Sequence, residues 1–84
     1  GGFITAWLDA AMAHAVIHDT AHAQTVFSLE IKVSFYEKVG PGEGTVEGRV
    51  IRRGKRIAFM EAALYNANGQ LAAEATSTGI LAPL

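Results

Sequence analysis

The chain has 84 residues, of which half are hydrophobic and 18% are charged, with a formal net charge of −1. This length restricts it to one domain, its apolar composition excludes disorder, and its charge balance gives no field that favours nucleic acid or a membrane surface. The absence of cysteine excludes disulfides and thiolate metal sites and fits a reducing cytoplasm. So small a domain hides this much apolar surface with difficulty, so we expect a subunit interface.

Residues 2–18 predict a helix that is apolar on almost every side and therefore buried. Within the first sixteen residues, Asp9 is the only charged side chain. A carboxylate in such a helix must be paired with a cation, hydrogen-bonded or used in catalysis, because burying an unpaired charge costs much free energy. The run has no basic flank and is shorter than the roughly 20 residues that a membrane span needs. It therefore favours a buried helix over a signal peptide or a span.

Four strands are predicted after the polar connection at residues 19–24. In residues 25–36, the odd positions from Phe27 to Phe35 are apolar and the even positions from Ser28 to Ser34 are polar, which is typical of a half-buried antiparallel strand. Further strands are predicted at 45–53, 56–66 and 70–81. They are bounded by turn signals at 40–44, at Gly54-Lys55 and at the two-residue hairpin signal Asn68-Gly69. This order indicates an α+β fold, in which an antiparallel meander curls around one helix.

The segments GGFITAWLDAAMAHAV and SLEIKVSFYEKVGPGEGTVEGRVIRRGKRIAFMEAALYNANGQLAAEATSTG together resemble the PaaI-like hotdog-fold acyl-CoA thioesterases. Members typically carry His-Gly-Gly and then an Asp eight residues after the first Gly. Gly1, Gly2 and Asp9 match that spacing. The later segments follow the family's order of strand, R-x-G-K/R turn, strand, N-G hairpin and strand. The resemblance implies a single hotdog domain over residues 1–84, with one central buried helix wrapped by a curved antiparallel sheet. We expect it to lack the family's N-terminal helix and first strand, which precede the glycines.

The resemblance implies hydrolysis of acyl-CoA thioesters to a carboxylic acid and CoA. Asp9 would act as base or nucleophile from across a dimer interface; the alternative is an Asp that stabilises its own helix or pairs with a basic neighbour. The helix N-terminal amides around Gly1 and Gly2 would polarise the thioester carbonyl, and glycine would let the substrate approach closely. Ser28 would orient water or the carboxylate across the interface; a plain surface serine is the alternative.

The basic cluster around the predicted hairpin tip is a candidate site for the CoA phosphates. Arginine and lysine side chains with turn amides suit phosphate groups, so Arg53, Gly54 and Lys55 would hold the nucleotide end. A solvated hairpin tip is the alternative. His14 and His18 are spaced by four, as in some metal sites, but surface histidines near the helix end explain them better. We predict no metal and no other cofactor.

The expected partners are the acyl-CoA substrate and further copies of the chain, with neither nucleic acid nor membrane. Edge-to-edge pairing of two sheets predicts a homodimer, and two such dimers would form a homotetramer. The expected location is the cytoplasm. Two other functions stay open. One is a hotdog-fold hydratase or dehydratase acting on acyl thioesters, and the other is a non-catalytic CoA-binding or assembly subunit. Hydrolysis by an Asp9→Asn variant separates the enzyme from the binding subunit.

Overall fold

A computed structural model describes residues 2–39 and 44–84. Its elements are helix α1 (Gly2–Asp19) and strands β1 (Gln24–Phe35), β2 (Thr45–Arg53), β3 (Ile57–Tyr65) and β4 (Leu71–Pro83). The α+β class and all five elements agree with the sequence prediction, to within two residues at each end. Gly1 and most of the predicted turn at 40–44 lie outside the described residues.

The strand order is β1-β4-β3-β2, and every neighbouring pair is antiparallel. The prediction of a four-strand meander is therefore wrong at β1, which pairs with β4 and not with β2. The two short hairpins hold β2, β3 and β4 in sequential order. β1 and β2 are not neighbours and form the two edges of the sheet.

The hairpin predicted at Asn68-Gly69 is confirmed, with a wider loop than two residues. The N–H of Gly69 donates to the carbonyl of Asn66, and the N–H of Asn66 donates to the carbonyl of Gln70, both at 2.9 Å. Gly69 has a φ of +79°, the left-handed conformation that glycine adopts without strain. This is a turn followed by a left-handed residue, a common way of joining antiparallel strands.

Helix α1 buries one stripe and leaves the opposite side open. The buried residues recur every four positions and pack on the sheet: Ile4, Leu8, Met12 and Val16. On the other side Phe3 is 52% exposed and His14 is also exposed. The prediction of a helix buried on most sides is thus wrong for the described chain, because one sheet covers only one side of a helix. No helix among the described residues is long and apolar enough to cross a membrane.

The sheet curls around α1, as predicted. The helix reaches Ser28 in edge strand β1 through Asp9, and a side chain at Gly48 in edge strand β2 would overlap the carbonyl oxygen of Ala11. The two edges of four flat strands would lie about 14 Å apart, whereas a helix is only about 10 Å across. One helix therefore contacts both edges because the sheet bends towards it.

Two irregularities in register change which side chains face the helix. β1 carries one extra residue at Leu29, and β2 carries one at Ile51. Up to the first of these, Val26 and Ser28 face α1, and Phe27 is 66% exposed. The strict alternation predicted for residues 25–36 is therefore wrong before position 30. Ser28, predicted on the polar outer face, lies on the helix side.

Candidate active site

Asp9 and Ser28 form a hydrogen-bonded pair between the helix and the first strand. The Ser28 hydroxyl donates to Oδ1 of Asp9 at 3.0 Å. Asp9 follows the fully buried Leu8, so the packing of α1 fixes the position of its backbone. Its side chain is half-buried and pairs with no basic side chain among the residues that the structure describes. The structure thus joins within one chain two residues that the resemblance brings together across a dimer interface, and a hydroxyl holds the carboxylate.

Gly2 lies at the beginning of α1, where backbone N–H groups have no partner within the helix. It is exposed, and the space that its side chain would occupy is open. Gly2 and Asp9 are seven residues apart, which puts them on one side of the helix with about 10 Å of axial rise between them. The amide and the carboxylate of one chain are therefore separated by nearly two helical turns.

The predicted CoA-binding cluster is divided by the irregularity at Ile51. Arg53 turns to the helix side, where its Nε donates to Oδ2 of Asp19 at 2.8 Å. The N–H of Gly54 donates to the carbonyl of Ile57 at 2.8 Å and closes the turn, so this amide is already used. Lys55 is exposed at the tip. Asp19 is ten residues beyond Asp9, so the cluster lies about 15 Å along the helix from that carboxylate.

The histidines do not form a cluster. His14, His18 and His22 are all exposed. No group of three or more His, Cys, Asp or Glu side chains within residues 2–39 and 44–84 is arranged to hold a metal ion.

A groove that the sequence did not predict lies on the outer face of the sheet. It has a volume of about 350 Å³, and its polar lining includes Glu47, Arg49, Glu61 and Glu74. Arg49 forms an ion pair with Glu61 across β2 and β3. At one end the Tyr36 hydroxyl donates to Oε1 of Glu74 at 2.5 Å, and this bond raises the pKa of Tyr36 above its ordinary value of 10.0. Only the strand register brings these residues together, so no local sequence signal marks the groove.

Comparison with known proteins identifies the family of this chain. Residues 1–73 match the thioesterase superfamily. The chain belongs to that superfamily. A curated relative from Saccharolobus solfataricus, provisionally named as an esterase, is 31% identical over 81 residues, which are 96% of this chain and 53% of that protein. The chain thus spans about half the length of the curated relative.

Two solved structures share both fold and sequence with this superfamily chain. Zebra fish thioesterase superfamily member 2 is 25% identical with a TM-score of 0.85, over 98% of this chain and 60% of that one. The BH2602 protein of Bacillus halodurans, solved with CoA, is 25% identical with a TM-score of 0.79, over 98% of this chain and 58% of that one. These similarities confirm the hotdog fold expected from the sequence.

Proposed function

We propose that this chain carries the acid of a PaaI-like thioesterase site that hydrolyses acyl-CoA to a carboxylic acid and CoA. The observation that carries the proposal is the Asp9–Ser28 hydrogen bond at the inner face of a thioesterase-superfamily domain. The CoA in the B. halodurans structure, at 25% identity, supports a CoA thioester as the substrate.

Asp9 acts as a general base in the simplest balanced reaction. Its carboxylate takes a proton from water while the water oxygen bonds to the thioester carbonyl carbon. The tetrahedral intermediate then breaks its carbon–sulfur bond, and the departing thiolate receives the proton from Asp9. The products are the carboxylic acid and CoA thiol. In the covalent variant, Asp9 attacks the carbonyl carbon itself, and the carbon–sulfur bond breaks to release CoA thiolate. Water then hydrolyses the resulting anhydride to the carboxylic acid and the Asp9 carboxylate, and the proton released in this step goes to the thiolate. Ser28 serves both routes, because its hydroxyl orients the carboxylate through Oδ1.

The backbone amides at the start of α1 stabilise the negative oxygen of that intermediate. Since nearly two helical turns separate Gly2 from Asp9 in one chain, we propose that the complete site combines the helix start of one copy with Asp9 of another. β1 is an edge strand twelve residues long. Such an edge is suited to pairing with a second copy in a homodimer.

The nucleotide end of CoA is proposed to bind at the β2–β3 hairpin. Lys55 is exposed there, so its side chain can approach phosphate oxygens, whereas Arg53 is held on the helix side by Asp19. Because the Gly54 amide closes the turn, we attribute the proposed binding to the Lys55 side chain and not to that amide. A CoA-binding subunit without catalysis is the second candidate, because the hairpin does not depend on Asp9.

The deciding experiment compares Asp9→Asn with the unchanged protein against a panel of acyl-CoA esters. The substitution keeps size and shape and removes the base, so we expect kcat to fall by about 10² to 10⁴, while CoA binding measured by calorimetry is retained. Glu47→Gln, an exposed outer-face acid, is the matched control and should leave kcat unchanged.

Equal hydrolysis by Asp9→Asn would refute the assignment of Asp9. CoA binding without hydrolysis in the unchanged protein would favour the binding subunit. Hydration of an unsaturated acyl-CoA without hydrolysis would favour the hydratase.

A further inference from the structure

The extra residue in β1, Leu29, decides which face of the sheet carries Ser28. Beyond it Ile31 faces α1 and packs against the core. Because side chains alternate along a strand, an uninterrupted β1 would turn Ser28 to the outer face. In the structure, residues 28 and 30 of β1 pair with residues 79 and 78 of β4, so two steps along β1 match one along β4. This β-bulge is what turns Ser28 towards Asp9.

Besides the main-chain ladder, two hydrogen bonds that involve side chains attach the bulge to β4 through Glu30. The main-chain carbonyl of Glu30 accepts a bond of 2.7 Å from the hydroxyl of Ser77. Its carboxylate accepts a bond of 2.9 Å from the main-chain N–H of Thr78. Ser77 is 3% exposed and is the one buried polar side chain in the described part of the chain. A hydroxyl in such a position needs a partner, and the partner it has is the residue next to the bulge.

The apolar pattern of β1 favours a different register. Phe27 and Leu29 are 66% and 58% exposed, and a strand without the bulge would turn both towards α1 while turning Ser28 away. Burial of apolar surface stabilises such a slipped register. The observed register therefore depends on contacts that are specific to the bulge, and the bonds of Glu30 are contacts of that kind.

We propose that Glu30 and Ser77 are positioning residues that hold β1 in the bulged register and thereby present Ser28 to Asp9. The inference rests on the proposed function, in which Asp9 is the reacting acid. Neither residue touches the substrate. Each acts through Ser28. Removing either side chain should therefore lower kcat as removing the Ser28 hydroxyl does, and should cause no further loss when that hydroxyl is already absent.

The register is tested first by nuclear magnetic resonance, which needs no activity. In the unchanged protein, cross-strand contacts should pair Ser28 with Gly79. Glu30→Ala and Ser77→Ala should weaken these contacts and bring Leu29 towards α1. Glu30→Gln should keep the register, because the amide oxygen still accepts from Thr78. The exposed acid variant Glu47→Ala controls for loss of charge. An unchanged register in both alanine variants and in their double variant would overturn the proposal.

Kinetics then tests whether the register acts through Ser28. Glu30→Ala and Ser77→Ala should each lower kcat about tenfold with little change in KM, because the carboxylate loses its orientation. In a Ser28→Ala background, Glu30→Ala should cause no further loss. A full additional loss in that background would overturn the proposal, since Glu30 would then act independently of Ser28. If the unchanged protein hydrolyses no thioester, the proposed function fails, and the register measurements alone decide the role of Glu30.

Discussion

Ser28 and Asp9 are nineteen residues apart in the sequence and are joined by one hydrogen bond of 3.0 Å at the inner face of the sheet. The bond connects the centre of α1 to an edge strand. A hydroxyl that donates to an ionised carboxylate stabilises the charge and restricts the rotation of the side chain. The pair therefore combines the proposed reactive group with a hydroxyl that is placed to orient it.

Ser28→Ala is expected to lower kcat about tenfold or more, because a hydrogen bond to a charged group contributes roughly 1.5–3 kcal/mol. KM should change little, since Ser28 is proposed to contact the carboxylate and not the acyl chain. Steady-state kinetics with one acyl-CoA measures both. Ser34→Ala, on the outer face of the same strand, is the control and should behave as the unchanged protein. Equal losses in the two variants would contradict the role of Ser28.

Local signals predicted most of this fold. The helix, the strands and the Asn68-Gly69 hairpin follow from periodicity and turn chemistry within short windows. Asp9 stood out because a lone acid in an apolar helix needs an explanation.

What could not be predicted depends on residues far apart in sequence. The pairing of β1 with β4 and the bulge at Leu29 are set by contacts between distant strands, so neither the face of Ser28 nor its bond to Asp9 within one chain could be predicted. The irregularity at Ile51 likewise moved Arg53 to the helix side.

Ala21 occupies a position where glycine should be more stable. After α1, the N–H of His22 donates to the carbonyl of Ile17 at 2.8 Å and the N–H of Ala21 donates to that of His18 at 3.1 Å. This pattern ends many helices and requires a left-handed residue, usually glycine, and Ala21 has a φ of 52°. We expect Ala21→Gly to raise the free energy of unfolding by about 1 kcal/mol.

Urea denaturation measures this effect, and a second alanine supplies the control. Ala10 is exposed within α1, so Ala10→Gly should lower the free energy of unfolding by about 1 kcal/mol. If Ala21→Gly and Ala10→Gly both lower the free energy of unfolding, the left-handed conformation at Ala21 carries no energetic cost.

At the β2–β3 hairpin, Arg53 forms a structural contact, whereas Lys55 belongs to the proposed phosphate site. Arg53 pairs with Asp19, and their side chains are 37% and 46% exposed, so Arg53→Ala should lower the free energy of unfolding by about 1 kcal/mol at most. Lys55→Ala should leave it unchanged, because Lys55 is exposed and forms no ion pair within the described residues.

Lys55→Ala should nevertheless raise KM for an acyl-CoA and not for the matching acyl-pantetheine, which lacks the nucleotide. High salt should reduce this difference, since screening weakens contacts to phosphate. A KM unaffected with both substrates would identify the hairpin as a solvated tip.

The Tyr36–Glu74 contact predicts a change at alkaline pH. The hydrogen bond to Glu74 is the largest cause of the raised pKa of Tyr36, followed by desolvation. A raised pKa means that the folded chain favours the neutral phenol. Any stability from this contact is therefore fully present below the ordinary pKa of 10.0 and is lost as the pH rises through the raised pKa.

Glu74→Gln removes the negative charge beside the phenol and supplies an amide that can donate to the phenolate. The pKa of Tyr36 should then fall towards its ordinary value. Ultraviolet titration of phenolate absorbance measures the shift, and Tyr36→Phe identifies which of the two tyrosines is responsible. In the Tyr36→Phe background Glu74→Gln should leave the titration unchanged. A shift that persists there would assign the effect to a different group and contradict the contact between Tyr36 and Glu74.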